Sequence, residues 1–167
     1  MNSPSMVYIA LGSNLGDSPR ILLQALRRLE TLSDHPLRRS SFWRTSPVDC
    51  PPGSPPFLNA VVELVPRPGE TPESLLAKLQ ALERKCGRRI AAVRNAPRIL
   101  DLDLIAFGAE RRTMPELVLP HPRAHQRRFV LEPLAEIAPD LVLPGQSRTV
   151  ALCLGVLDSS EKVQRLE

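Results

Sequence analysis

The chain has 167 residues, a net charge of +4 and three cysteines, the size of one domain that can bury a core without disulfides. Cys50, Cys86 and Cys153 fall in no CxxC or Cys/His spacing, which argues against structural zinc and for free thiols in a reducing compartment. No run approaches the ~18 apolar residues of a membrane span, and MNSPSMVYIA has neither the basic nor the apolar region of a leader, so one cytoplasmic domain over residues 1–167 is expected.

In chain order, Met6 to Leu11 (MVYIAL) is an apolar, β-rich run ending in GSNLGDSP. There Asp17 or Ser18 can cap a helix and Pro19 suits its first turn. Leu22, Leu26, Leu29 and Leu32 give that helix an apolar stripe. Leu37–Thr45 and Phe57–Val65 follow as strands, separated by SPVDCPPGSPP, in which five of eleven residues are proline; so many prolines exclude a central strand between them. Thr71 as cap, Pro72 at the first position and Glu73 in the first turn open a second helix. Its buried stripe is Leu75, Leu79, Leu82 and Cys86, and Gly87 is its stop. After GRRIAAVRNAPR comes a strand over Ile99–Phe107. The order predicts an α+β fold with a ferredoxin-like βαββαβ core and a mainly antiparallel sheet. The C-terminal extension reads as a loop from Met114, a helix over about Arg128–Ala138 bent or broken near Pro133, an apolar run at Leu141–Leu143 and a last helical segment.

Within the last core strand, RILDLDLIAF, Asp101 and Asp103 share one face and Leu100, Leu102 and Leu104 the other. The acidic face places two carboxylates about 7 Å apart along the strand, close enough to share hard cations with substrate phosphates. The competing reading is a half-exposed strand whose outer face is merely acidic. From Arg84 to Arg128 there are eleven Arg or Lys against four acids, net +7, which leaves the remainder of the chain at −3. Arg88, Arg94 and Arg98 come from the segment just before the strand, so cations and guanidinium groups together can hold a polyanion. His121 in LPHPRAH and Arg127 can add donors to it. GSNLGD lacks both the GK[ST] ending of a Walker loop and the GxGxxG spacing of a dinucleotide fingerprint, and reads as a tight turn. The proline-rich loop is either a rigid linker or a lid over a planar ligand near Phe57 and Asn59, whose amide can read the edge of a heterocycle.

IALGSNLGD, the FWRTSPV and FLNAVVEL pair, APRILDLDLI and LPHPR…RRFVLEPLAEIAP occur in this order over about 140 residues. Together they closely resemble the hydroxymethyldihydropterin pyrophosphokinase family of folate biosynthesis. The resemblance implies a three-layer α/β/α fold, ATP and hydroxymethyldihydropterin as partners, and transfer of pyrophosphate from ATP to the hydroxymethyl oxygen with release of AMP. It implies two Mg2+ ions held with ATP by Asp101 and Asp103, and catalytic-loop arginines at Arg88 and Arg98. It further implies ATP contacts at Gln80, Glu83, His121 and Arg127, and pterin contacts at Thr45, Val48, Phe57, Asn59 and Phe129. The proline-rich segment and Arg88 to Arg98 correspond to the family's two mobile loops. Asn95, Ile90 and Pro122 depart from residues that can occur in the family, and Phe57 stands where a tyrosine can. Two rivals are a ferredoxin-like RNA-binding module and a metal-dependent phosphatase. Against the first, aromatics are only 4% of residues and no RNP-like motif offers a stacking platform. A monomer bound to neither nucleic acid nor membrane is expected.

Overall fold

The computed structural model describes residues 5–47, 50–87 and 97–166. Its first strand, β1 (Val7–Ser13), alternates between two apolar faces and leads through a turn into α1 (Ser18–Glu30). The Asp17 side chain accepts the Arg20 N–H, and Pro19 lies in the first turn, as the capping chemistry requires. Two short strands, β2 (Arg38–Arg39) and β3 (Trp43–Thr45), precede the long β4 (Phe57–Leu64). The second helix, α2 (Pro72–Lys85), opens on a reciprocal Thr71/Ser74 capping box. Gly87, at φ +87°, ends it in the left-handed conformation glycine adopts without strain. Then come β5 (Asp101–Phe107), the hairpin β6 (Arg112–Met114) and β7 (Leu117–Leu119), α3 (Arg128–Ile137), α4 (Val150–Val156) and β8 (Val163–Arg165).

The main sheet runs β5-β1-β4-β3-β8, with β2 also paired to β4, and every pairing is antiparallel. Counting β2 and β3 as one interrupted strand, the four core strands stand in the order 4-1-3-2 of a ferredoxin-like fold. One face, with Ile9, Leu11 and Leu104, packs on Leu22 and Leu29 of α1 and Leu75 and Leu79 of α2. The other, with Tyr8, Val61 and Ile105, packs on Val130, Leu131 and Leu134 of α3 and Val150 of α4. The alternation within β1 therefore produces three layers, helices on both sides of the sheet. No helix among the described residues is long and apolar enough to cross a membrane.

Three local expectations are corrected. The strand expected over Leu37–Thr45 is split at residues 40–42. There Ser40 Oγ accepts the Val61 N–H and the Ser41 N–H turns to the Glu136 carboxylate, so side chains take over part of the ladder. The segment after Phe107 is a hairpin where a loop was expected from Met114; the expected last helical segment is α4, and the unexpected β8 follows it and pairs with β3. α3 continues through Pro133 without a break, with one intrahelical donor lost there and Pro133 buried.

Candidate active site

The face of the sheet that carries the aspartates opens into a cleft of about 620 Å³, a normal size for a small-molecule site. Antiparallel register builds its floor. Gly12 of β1 stands opposite Asp101 on one side and Asn59 on the other, and Ala10 opposite Asp103. Phe57 lies opposite Thr45. The acids and the aromatic–amide pair thus lie on one face of one sheet, side by side.

Gly12 is needed for space. Its φ lies outside the left-handed region, and a Cβ there would meet Asn59 Oδ1 at 2.9 Å and Phe57 Cδ1 at 3.6 Å. With the backbone so close, the buried Asn59 is held by donation of Nδ2 to Thr45 Oγ1 at 2.8 Å. Its carbonyl oxygen is thereby directed along the Gly12 side of the floor.

Asp101 and Asp103 are both half-buried, and Arg98 Nη1 lies 3.3 Å from Asp101 Oδ1. Burial, then the neighbouring Asp101, pushes the Asp103 carboxyl up to about 7, with Arg127 and Arg98 opposing. Two hard oxygen donors held side by side in this way fit a divalent cation of the magnesium class. Among the described residues no third His, Cys, Asp or Glu completes a ready-made cage. His121 lines the same wall. Burial, then Arg127 and Arg123, lowers its imidazole to about 4. Nδ1 accepts the Arg123 backbone N–H at 3.2 Å, so the ring proton sits on Nε2 of a neutral histidine. At the start of α3, the Arg127 guanidinium stacks 5.4 Å from the Phe129 ring centroid.

Asn14, buried just past β1, ties together the two loop ends that flank the cleft. Its Oδ1 accepts the Arg98 N–H at 2.7 Å and its own N–H donates to Arg98 O at 3.0 Å. Its Nδ2 donates to Pro55 O at 3.2 Å. GSNLGD is thus a turn, as its spacing suggests, and also the common anchor of the proline-rich segment and the arginine segment.

A smaller apolar slot of about 240 Å³ adjoins the cleft at the edge of β5, shares Asp103 and His121 with it, and is walled by Leu76, Leu104, Leu117 and Val118. The hairpin that sequence reading missed therefore forms part of the site. Of the candidates, Thr45, Phe57, Asn59, Arg98, Asp101, Asp103, His121, Arg127 and Phe129 all line the main cleft. Gln80 is exposed on α2 and lines neither space, and the buried Glu83 accepts the Leu102 N–H at 3.1 Å, tying α2 to β5 behind the aspartates. Val48 and Arg88, with Ile90, Arg94 and Asn95, lie outside the described residues. Gly12 and Glu161 line the cleft but carry no signal in the sequence taken by itself.

The chain matches the family model for 7,8-dihydro-6-hydroxymethylpterin-pyrophosphokinase (HPPK) over residues 8–139. It is 41% identical over 138 residues to the 2-amino-4-hydroxy-6-hydroxymethyldihydropteridine pyrophosphokinase of Haemophilus influenzae, covering 82% of this chain and 84% of that protein. It is 38% identical over 161 residues to the protein of the same name from Methylorubrum extorquens, covering 96% and 98%. The folic acid synthesis protein fol1 of Pneumocystis carinii is 35% identical over 145 residues, 87% of this chain, but the chain spans only 19% of that longer protein. Plasmodium falciparum HPPK-DHPS, solved with pteroate, superimposes with a TM-score of 0.69 at 13% identity over 93% of this chain and 42% of that one, a likeness of fold. With the match running from β1 to just past the end of α3, the chain belongs to the 7,8-dihydro-6-hydroxymethylpterin-pyrophosphokinase family.

Proposed function

We propose that the protein transfers the terminal pyrophosphoryl group of ATP to 6-hydroxymethyl-7,8-dihydropterin and releases AMP. The observation that carries this reading is the division of one cleft into two chemistries. Phe57, Phe129 and the Thr45-oriented Asn59 suit a flat heterocycle with a hydrogen-bonding edge, while Asp101, Asp103, Arg98, Arg127 and His121 suit a metal-bound triphosphate. The apolar slot beside β5 suits the nucleoside base, since it shares Asp103 and His121 with the polyanion end.

In this reaction the hydroxymethyl oxygen attacks the β-phosphorus, the bond from that phosphorus to the α,β-bridging oxygen breaks, and the hydroxyl proton leaves to solvent. The protein's task is positioning and charge neutralisation. Asp101 and Asp103 would hold Mg2+, two ions with ATP bound, and the metal would neutralise phosphoryl oxygens. Arg98, which pairs with Asp101, would turn to a phosphate as charge develops. Neutral His121 donates from Nε2, and Arg127 adds a fixed positive charge. Arg88 takes a second cationic role by resemblance alone, as Gln80, Glu83 and Val48 do their contacts. The same reading treats residues 1–167 as one monomeric domain.

Mass-spectrometric detection of AMP and pterin pyrophosphate, after mixing the protein with ATP, Mg2+ and the hydroxymethyl pterin, tests the proposal. Release of inorganic phosphate without AMP would identify a phosphatase. Salt-sensitive RNA binding without ATP turnover would identify a nucleic-acid module.

A further inference from the structure

α3 displays two cleft residues at its start, Arg127 and Phe129, but its capping position is Arg127, which makes no side-chain cap hydrogen bond. The first N–H groups of a helix need acceptors from elsewhere. One comes from far along the chain: Glu161 Oε2 accepts the Phe129 N–H at 3.2 Å. The remote carboxylate also meets the positive end of the helix dipole and lies near Arg128 and Arg127.

Glu161 is itself well fixed. Its N–H donates to Ser159 Oγ at 3.2 Å. Next to it, Lys162 and Ser46 exchange two bonds, Ser46 N–H to Lys162 O at 3.0 Å and Lys162 N–H to Ser46 Oγ at 3.2 Å. One residue on, Val163 pairs with Thr45, the residue that orients Asn59. On the opposite side Arg128 Nη2 donates to Leu157 O at 3.2 Å. The segment from 157 to 165 is therefore a strap that runs from the start of α3 to the Thr45–Ser46 corner and carries a carboxylate between them. Glu161, Ser46, Thr45 and Phe129 all face the cleft.

We infer that Glu161 is a positioning residue that sets the Phe129 ring as one wall of the heterocycle pocket. The inference rests on the proposed pterin reading. Burial raises the Glu161 carboxyl against the pull of the Phe129 N–H and of Arg128 and Arg127. A group held at that desolvation cost matters through what it orders. Without it, the first turn of α3 loses its acceptor, and Phe129 loses the backbone anchor that complements its stacking on Arg127.

The test is calorimetric titration of full-length wild type, Glu161→Ala and Glu161→Gln with the hydroxymethyl pterin and, separately, with a non-hydrolysable ATP analogue and Mg2+. Glu161→Ala should weaken pterin binding about tenfold, the equivalent of a lost helix cap, and leave the nucleotide within about threefold. Glu161→Gln, which keeps an acceptor oxygen for the amide, should restore pterin affinity to within about threefold of wild type. In a Phe129→Ala background Glu161→Ala should add almost nothing, because it acts through the ring. Equal losses for both ligands, or a lowered Tm with unchanged pterin affinity, would make Glu161 a plain staple and overturn the inference. Wild type that takes up no pterin would instead overturn the functional reading, and the inference with it.

Discussion

Gly12→Ala isolates the way the sheet holds Asn59. An added Cβ stands 2.9 Å from Asn59 Oδ1, about half an ångström inside ordinary contact. Gly12 needs no left-handed conformation, so the cost is steric alone and falls on the end of a side chain that can retreat. Retreat stretches the 2.8 Å bond from Asn59 Nδ2 to Thr45. Losing that bond and crowding Phe57 should cost about 1–2 kcal/mol, or roughly 2–8 °C in Tm for a chain of this size. Recognition should suffer more than folding. An amide moved by a fraction of an ångström no longer meets the edge of a planar ligand, and displacements approaching 1 Å cost about a hundredfold. We expect pterin affinity to fall roughly ten- to a hundredfold, with nucleotide affinity nearly unchanged. Thermal unfolding by circular dichroism and calorimetric titration of each ligand measure the two effects separately. Pterin affinity within about threefold of wild type would refute the reasoning. So would a Tm drop beyond about 10 °C, which would make the contact part of the core.

Asn14→Ala should cost about 2–4 kcal/mol, since it strands the Arg98 N–H and releases Pro55, and it should lower turnover by freeing both loop ends. Asn14→Asp, which keeps only the acceptor, should fall between the two in urea unfolding, and equal losses in both variants would contradict the clamp. Asp103→Asn relieves repulsion with Asp101, so its melting temperature without metal should match or exceed that of wild type, while stabilisation by added Mg2+ should disappear along with turnover. An unchanged Mg2+ response in thermal melts would remove Asp103 from the metal site. His121 has its folded-state value depressed from 6.5 to about 4, so it is neutral when folded and charges on unfolding in between. Its contribution is intact above pH 6.5 and is lost as pH falls toward 4. Stability measured by urea unfolding at about pH 7 and about pH 4.5 should drop further in wild type than in His121→Gln, and parallel losses would show that the imidazole titrates normally.

Much of the fold was legible because local signals agreed with one another. Asp17 and Pro19 open one helix and the Thr71–Pro72 start opens the other. Leucine stripes at helical spacing, the β-rich apolar run of β1 and the alternation in β5 pointed to two helices over one sheet. The DLD pair was legible for the same reason: strand alternation alone puts both acids on one face. Strands of two or three residues were not. β6, β7 and β8 have too little sequence for a period, and they exist because a neighbouring edge offers hydrogen bonds. The split between β2 and β3 likewise depends on a Ser40 hydroxyl and a Glu136 carboxylate that arrive from other elements.

The amino-acid sequence by itself determined the two core helices over one sheet, the shared face of Asp101 and Asp103 and the basic surroundings of that pair, because those follow from periodicity and composition within single segments. Only the tertiary structure decided that Gly12 presses against Asn59, that Asn14 joins two loops 41 and 84 residues away, and that Glu161 reaches back 32 residues to the start of α3. It also decided that Glu83 serves the backbone of β5 and that the unforeseen hairpin walls an apolar slot. These are contacts between segments far apart in the chain. They are set by strand register and by the closing of polar groups within a packed interior, neither of which any one stretch of residues carries.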